Sequence, residues 1–379
     1  MPALLPPLRL TGALVLREGV VQRRSVAFAA GRLTRGPLPE VDLTGFLILP
    51  GMVDIHAPLQ GPICPDDSHT CQTDARRIRD AHLQAARMGV TTQVSVLGWG
   101  WTRGLRSAEL VASELRSLAF LRPRLATDSR VHLLAEMSAV RDEAQLLVQA
   151  RAGLIHGVIF ADTVPDPVES PRLSAAQREA LSLARRDRRD IPRHLCRLAE
   201  SFDALSLAYG SHADPDAETR ERHSMIGAQI AMFPATRRAA VAAHAMMSPV
   251  ILPAPALAGG DRMAAGLIAA GICDAIASDG QPGALFPAVQ ALAQMMGWPR
   301  AWALVSSRPA EILRLPDRGR LEPGLRADLV VIRPETGEIQ ATICGGRLTH
   351  LSGEAAERFC AQPFAAPLLP GGGLPMAAE

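Results

Sequence analysis

The sequence predicts an α/β fold, a (β/α)8 TIM-like barrel with a small β-sandwich formed from both chain ends. Three observations predict it. Between residues 51 and 317, short apolar runs alternate with longer alanine- and arginine-rich segments of helical period, which implies parallel strands joined by crossover helices. Eight such runs occur, the number that closes a barrel. Outside that region, both ends of the chain are short alternating strands punctuated by glycine turns, a pattern of sheet packed on sheet.

The elements follow in order. Residues 8–16 and 25–29 read as strands with Gly31 at a turn, and residues 46–49 as a buried strand. Pro50-Gly51 then turns the chain into Met52–His56, an apolar strand that ends on a histidine with Asp54 two positions earlier. The other seven barrel strands are expected at 89–96, 130–134, 157–160, 206–208, 228–232, 249–252 and 275–277, with helices over 74–87, 174–189 and 216–226 among those between them. Residues 319–332 return to strand and turn, and 339–343 pair with 347–349 across Gly345-Gly346. The expected divisions are therefore 1–50 and 318–356 for the sandwich, 51–317 for the barrel, and 357–379 for a loose tail, whose Pro- and Gly-rich part begins near Gln362.

Composition narrows the function. With 379 residues and 48% hydrophobic content the chain can bury a large core. A net charge of +2 argues against nucleic acid or an acidic membrane surface as partner. The six cysteines show no CxxC spacing and read as reduced thiols, although Cys64, His69 and Cys71 share one stretch and form a minor accessory metal candidate. The start lacks a basic region before its apolar residues, and no run is long enough to span a bilayer, so a cytoplasmic protein is expected.

In a barrel, chemistry gathers at the C-terminal ends of the strands. Four polar residues are expected there: His56, Glu136, His212 and Asp279. Two imidazoles and two carboxylates converging on one mouth suit a Zn²⁺ or Mn²⁺ site, whose bound water Asp279 would deprotonate. Asp162 reads equally as a fifth ligand or as a loop aspartate beside two prolines. Arg262 could grip phosphate bidentately or be one more of 40 arginines. Trp99 and Trp101 either line a pocket or pack a loop. His132, on the same strand face as Glu136, would stand behind the site, and Asp66, Asp67 and Asp214 are more readily solvated loop charges. His82, His223 and His244 fall in helical segments without an evident role.

Pro50-Gly-Met-Val-Asp-Ile-His56 resembles the opening strand of the metal-dependent amidohydrolase superfamily, and Gly319-Arg-Leu-Glu-Pro-Gly-Leu-Arg-Ala-Asp-Leu-Val330 resembles its C-terminal β segment. Within it the chain is most similar to the α-D-ribose 1-methylphosphonate 5-triphosphate diphosphatase family of the phosphonate pathway. The matching pieces are Ala85–Thr92, His132–Glu136, Arg197–Glu200, Ser211-His212, Gln229–Pro234, Pro253–Pro255, Gly259-Gly260, Ala269–Asp274 and Ser278-Asp279, in the same order along the chain. The resemblance implies a small phosphorylated substrate cleaved between its α and β phosphates, a homodimer, and a glutamate, here Glu136, where relatives carbamylate a lysine. The chain has no lysine, which agrees.

The departures are specific. Pro58 stands at the position of the family's second ligand, Asp162 replaces a histidine, Ala213 replaces an aspartate, and Gly259–Ala265 lacks the family's histidine. His56, Glu136, His212 and Asp279 remain, with Asp162 as substitute, so the expected cofactor is one divalent ion rather than two. Two other readings stay open: a non-catalytic paralogue serving as a binding or assembly subunit, and a one-metal hydrolase of a cyclic amide or ester.

Overall fold

The computed structural model describes residues 4–59, 71–100, 108–164 and 175–361. Seven N-terminal strands come first: β1 (Leu8–Thr11), β2 (Leu14–Arg17), β3 (Val20–Arg23), β4 (Val26–Ala29), β5 (Arg32–Thr34), β6 (Glu40–Asp42) and β7 (Leu47–Pro50). The barrel follows as β8 (Met52–Pro58), β9 (Val90–Trp99), β10 (Asp128–Glu136), β11 (Gly157–Ala161), β12 (Ala208–His212), β13 (Ile230–Met232), β14 (Val250–Pro253) and β15 (Ala275–Ala277). The chain returns to the sandwich with β16 (Leu329–Arg333), β17 (Glu338–Cys344) and β18 (Arg347–Leu351).

The eight barrel strands lie side by side in chain order, and every hydrogen-bonded neighbour is parallel. Helices such as Cys71–Arg87, Ala175–Asp187 and Ala217–Met225 connect them, so the expected alternation holds. The strand at β12 runs later than the sequence suggested. Residues 205–207 finish the preceding helix turn, with the Leu207 amide donating to Phe202 O, and the polar run Tyr209-Gly-Ser-His continues the strand because its neighbours supply the apolar layer. Strand alternation sorts the side chains. Leu97, Val131, Leu133, Val158 and Phe160 pack outward against helices, whereas Val96, Leu134, Ile159, Ile230, Met232 and Ile251 fill the barrel.

Asp54 helps to close the barrel between its first and last strands. Its Oδ1 accepts the Ser278 amide at 3.0 Å, just beyond β15, and the Asp279 amide donates to His56 O at 3.1 Å. A buried aspartate serves because each strand edge here needs an acceptor that a pleated ladder does not supply.

The two chain ends share one six-stranded sheet, ordered β18-β17-β16-β7-β2-β3, in which Val331 faces Ile48 across an antiparallel pair. A second sheet, β5-β4-β1-β6, lies wholly in the N-terminal part. Helix Gly353–Cys360 packs Ala355 and Phe359 into this core, so packed structure continues beyond residue 356, where the loose tail was expected. Trp302 ties the barrel to the sandwich strand: fully buried, it donates from Nε1 to Pro50 O at 2.9 Å. Truncating it would cost about 3–5 kcal/mol by the usual large-to-small scale. Among the described residues, no helix is long and apolar enough to cross a membrane.

Candidate active site

The strand ends bring His56 and His212 together. His56, fully buried near the end of β8, sits with its ring centroid 5.8 Å from that of His212, the last residue of β12, at an interplanar angle of 29°. Phe233, one residue past β13, presents an edge-on ring to both, at 5.0 Å and 5.6 Å. Ala213, Phe233 and Asp279 all have positive φ, at 56°, 54° and 47°, so the chain turns sharply as it leaves three of the eight strands. Aspartate is among the few non-glycine residues that take this conformation readily. It leaves Asp279 half-buried beside the first strand, its amide bonded to His56 O.

Glu136 ends β10 with only 2% exposure, and donors crowd its carboxylate. Oε2 accepts the Thr163 amide at 2.8 Å and the Thr163 hydroxyl at 2.7 Å; Oε1 takes the Ser138 amide and hydroxyl at 3.4 and 3.3 Å. Burial pushes its pKa up, against the pull of those hydrogen bonds. Neither partner was foreseen. Thr163 does stand two residues past β11, where a polar side chain could reach the neighbouring strand end.

The other candidates separate from this centre. Asp162, expected either as a substitute ligand or as a loop aspartate, is about half exposed and ion-paired to Arg188 at 3.1 Å. Arg262 is exposed at the first turn of helix Arg262–Ala269, which Asp261 caps by accepting the Met263 amide. Trp99 is 1% exposed and belongs to the apolar shell with Val111 and Leu115; strand alternation aims it at the helices and away from the mouth. Trp101, Cys64, Asp66, Asp67 and His69 lie outside the described residues.

Two dismissed residues have structural work. Asp214, 3% exposed, accepts from the Ser211 hydroxyl at 2.5 Å and from Arg220 at 3.2 Å, and pairs with His223 at 2.8 Å. Burial alone would raise its pKa, but the bonds from His223 and Ser211 and the charge of Arg220 bring it below the usual value. This cluster fixes the turn that follows His212. His132 is fully buried below Glu136, and neither ring nitrogen has a hydrogen-bond partner among the described residues. Burial drops its pKa to about 3, so the imidazole is neutral.

The amidohydrolase family model matches residues 47–349, most of the chain and the whole barrel. The chain belongs to the amidohydrolase family. This amidohydrolase is 33% identical over 176 residues to the α-D-ribose 1-methylphosphonate 5-triphosphate diphosphatase of Escherichia coli (strain K12), a match covering 43% of this chain and 45% of that relative. The match therefore spans less than half the length of the curated relative. Among solved structures, a β-aspartyl dipeptidase from Fervidobacterium islandicum AW-1 superposes with a TM-score of 0.62 at 16% identity, over 92% of this chain and 97% of that one. A dihydropyrimidinase from Brevibacillus agri NCHU1002 gives 0.64 at 12% identity, with the same coverage. At such identities the likeness concerns the fold.

Members of this family generally use divalent metals. Three of the donors that a two-ion centre would draw on are altered or engaged in the side chains described here. Pro58 offers no donor, Asp162 is drawn to Arg188, and both oxygens of Glu136 already accept hydrogen bonds. No group of three or more His, Cys, Asp or Glu side chains surrounds a common point among the described residues. What the amidohydrolase does assemble is an imidazole pair with a carboxylate-bearing turn alongside.

Proposed function

We propose that this amidohydrolase is a hydrolase of a phosphorylated small molecule, of the ribose 1-methylphosphonate 5-triphosphate type, working at the mouth formed by His56, His212 and Asp279. The juxtaposition of the two imidazoles, with Asp279 anchored to the His56 backbone, carries the reading. The partial match to the diphosphatase supports the substrate class. One divalent ion, Zn²⁺ or Mn²⁺, would take its nitrogen ligands from His56 and His212 and supply a water of lowered pKa. Asp279 would be the base for the attacking water; its left-handed backbone sets its amide on the His56 carbonyl. Phe233 packs its ring edge-on against both imidazoles. Glu136, held by Thr163 and Ser138, shapes the wall between the third and fourth strands.

Two observations favour a second reading. The saturation of Glu136 and the diversion of Asp162 to Arg188 suit a barrel that binds such a ligand without turning it over. Incubating the protein with the ribose phosphonate triphosphate and added Mn²⁺ or Zn²⁺, with pyrophosphate followed by mass spectrometry, separates the two. Pyrophosphate supports the hydrolase; calorimetric binding without product supports the binding subunit; neither binding nor product removes this substrate class.

A further inference from the structure

At the opposite end of the barrel from the mouth, the strand starts meet the sandwich across a cleft of about 470 Å³. Arg122, Arg326, Arg347 and Asp128 line it, with Gly345 at the hairpin turn. The ion pairing around it is uneven. Asp128, at the start of β10, is shared by three guanidiniums: Arg318 at 2.5 Å, Arg130 at 3.2 Å and Arg122 at 4.0 Å. Asp328 is taken by Arg326 through Nε at 3.0 Å, and Asp317 by Arg318 at 2.9 Å. Arg347 makes no ion pair with any described residue. Five guanidiniums thus face three carboxylates.

The surrounding groups do not correct the excess. His156 is neutral, its pKa brought to about 4 by burial and by the charges of Arg130 and Arg122, and His82 is likewise near 4 through burial. Arg122 feels burial first, then repulsion from Arg130 and Arg318. Of the lining arginines, Arg326 is spent on Asp328 and on the Cys344 thiol at 3.3 Å, which leaves Arg122 loosely held and Arg347 unengaged. A guanidinium in that state matches phosphate oxygens in planar, two-point fashion. The cleft also has the volume range of small-molecule sites.

We propose that this basal cleft binds a small phosphate-bearing anion, gripped by Arg122 and Arg347 with Arg326 behind them, independently of the barrel mouth. Because the lining comes from both the barrel and the sandwich, occupancy clamps the two together and raises thermal stability.

Inorganic pyrophosphate is the probe, with chloride at matched ionic strength as control, read by calorimetry and by thermal unfolding of the full chain. Expected is saturable binding near one per chain with a rise in Tm. Affinity should fall at least tenfold in Arg347→Glu and in the double variant Arg122→Gln/Arg347→Gln, and should be unchanged in His212→Ala. Replacing Arg347 breaks no described ion pair, so Arg347→Glu stays informative if the double variant fails to fold. No saturable binding, binding that survives Arg347→Glu, or binding lost in His212→Ala overturns the proposal.

Discussion

Thr163 donates twice to one oxygen of Glu136, from its amide at 2.8 Å and its hydroxyl at 2.7 Å, across the gap between the third and fourth barrel strands. Those bonds lower the carboxyl pKa, yet burial outweighs them and the net shift is upward. A carboxyl with a raised folded-state pKa holds its proton more tightly in the folded protein than in the unfolded chain. Its contribution is therefore most favourable below the unfolded value of 4.5 and is lost as pH rises through the folded value. Glu136→Gln should raise Tm at pH 8 and leave it nearly unchanged at pH 4, which thermal unfolding at the two pH values checks. Thr163→Val removes a hydrogen bond to a charged group and should cost about 1.5–3 kcal/mol at pH 8.

How far the sequence shows this site depends on what each residue needs from its surroundings. The placement of His56, His212 and Asp279 at strand ends was legible because the strands announce themselves by apolar runs. Whether Asp162 faced the mouth was not, since its direction is set by Arg188, 26 residues along the chain. Trp99 stayed open between pocket and packing for a related reason: one step of strand alternation decides between mouth and helix layer, and the end of β9 could not be placed to one residue. The mixed six-stranded sheet was readable as two similar ends, whereas the burial of Asp214 was invisible until Arg220 and His223 folded onto it.

That cluster yields an acid-stability prediction. Asp214 has a lowered folded-state pKa, so its stabilising contribution is present above the unfolded value of 3.8 and disappears as pH falls below it. Asp214→Asn should flatten the loss of stability on acidification below about pH 4. Arg220→Ala, which leaves a buried carboxylate with one partner fewer, should cost about 3–5 kcal/mol at pH 7. Urea unfolding of both variants across pH 3–7 is the check.

Inside the barrel, Gly157 faces His132 across the β10–β11 pair, and a Cβ there would lie 2.7 Å from His132 Nε2. Gly157→Ala should destabilise by about 1–3 kcal/mol through overpacking. In the His132→Ala background the same change should cost less, because the two nearest clashing atoms, both of the His132 ring, are gone. A double-mutant cycle by denaturant unfolding measures the coupling, and additive costs would place the clash elsewhere.

The central claim is that the imidazole pair and Asp279 form a working hydrolytic mouth. Asp279→Asn is the sharpest probe, since asparagine tolerates the same left-handed backbone while removing the base. Pyrophosphate release from α-D-ribose 1-methylphosphonate 5-triphosphate, with Mn²⁺ or Zn²⁺ present, should fall at least about 100-fold in Asp279→Asn and in His212→Ala relative to the unaltered chain. An unaltered chain that releases pyrophosphate no faster than these variants would contradict the account.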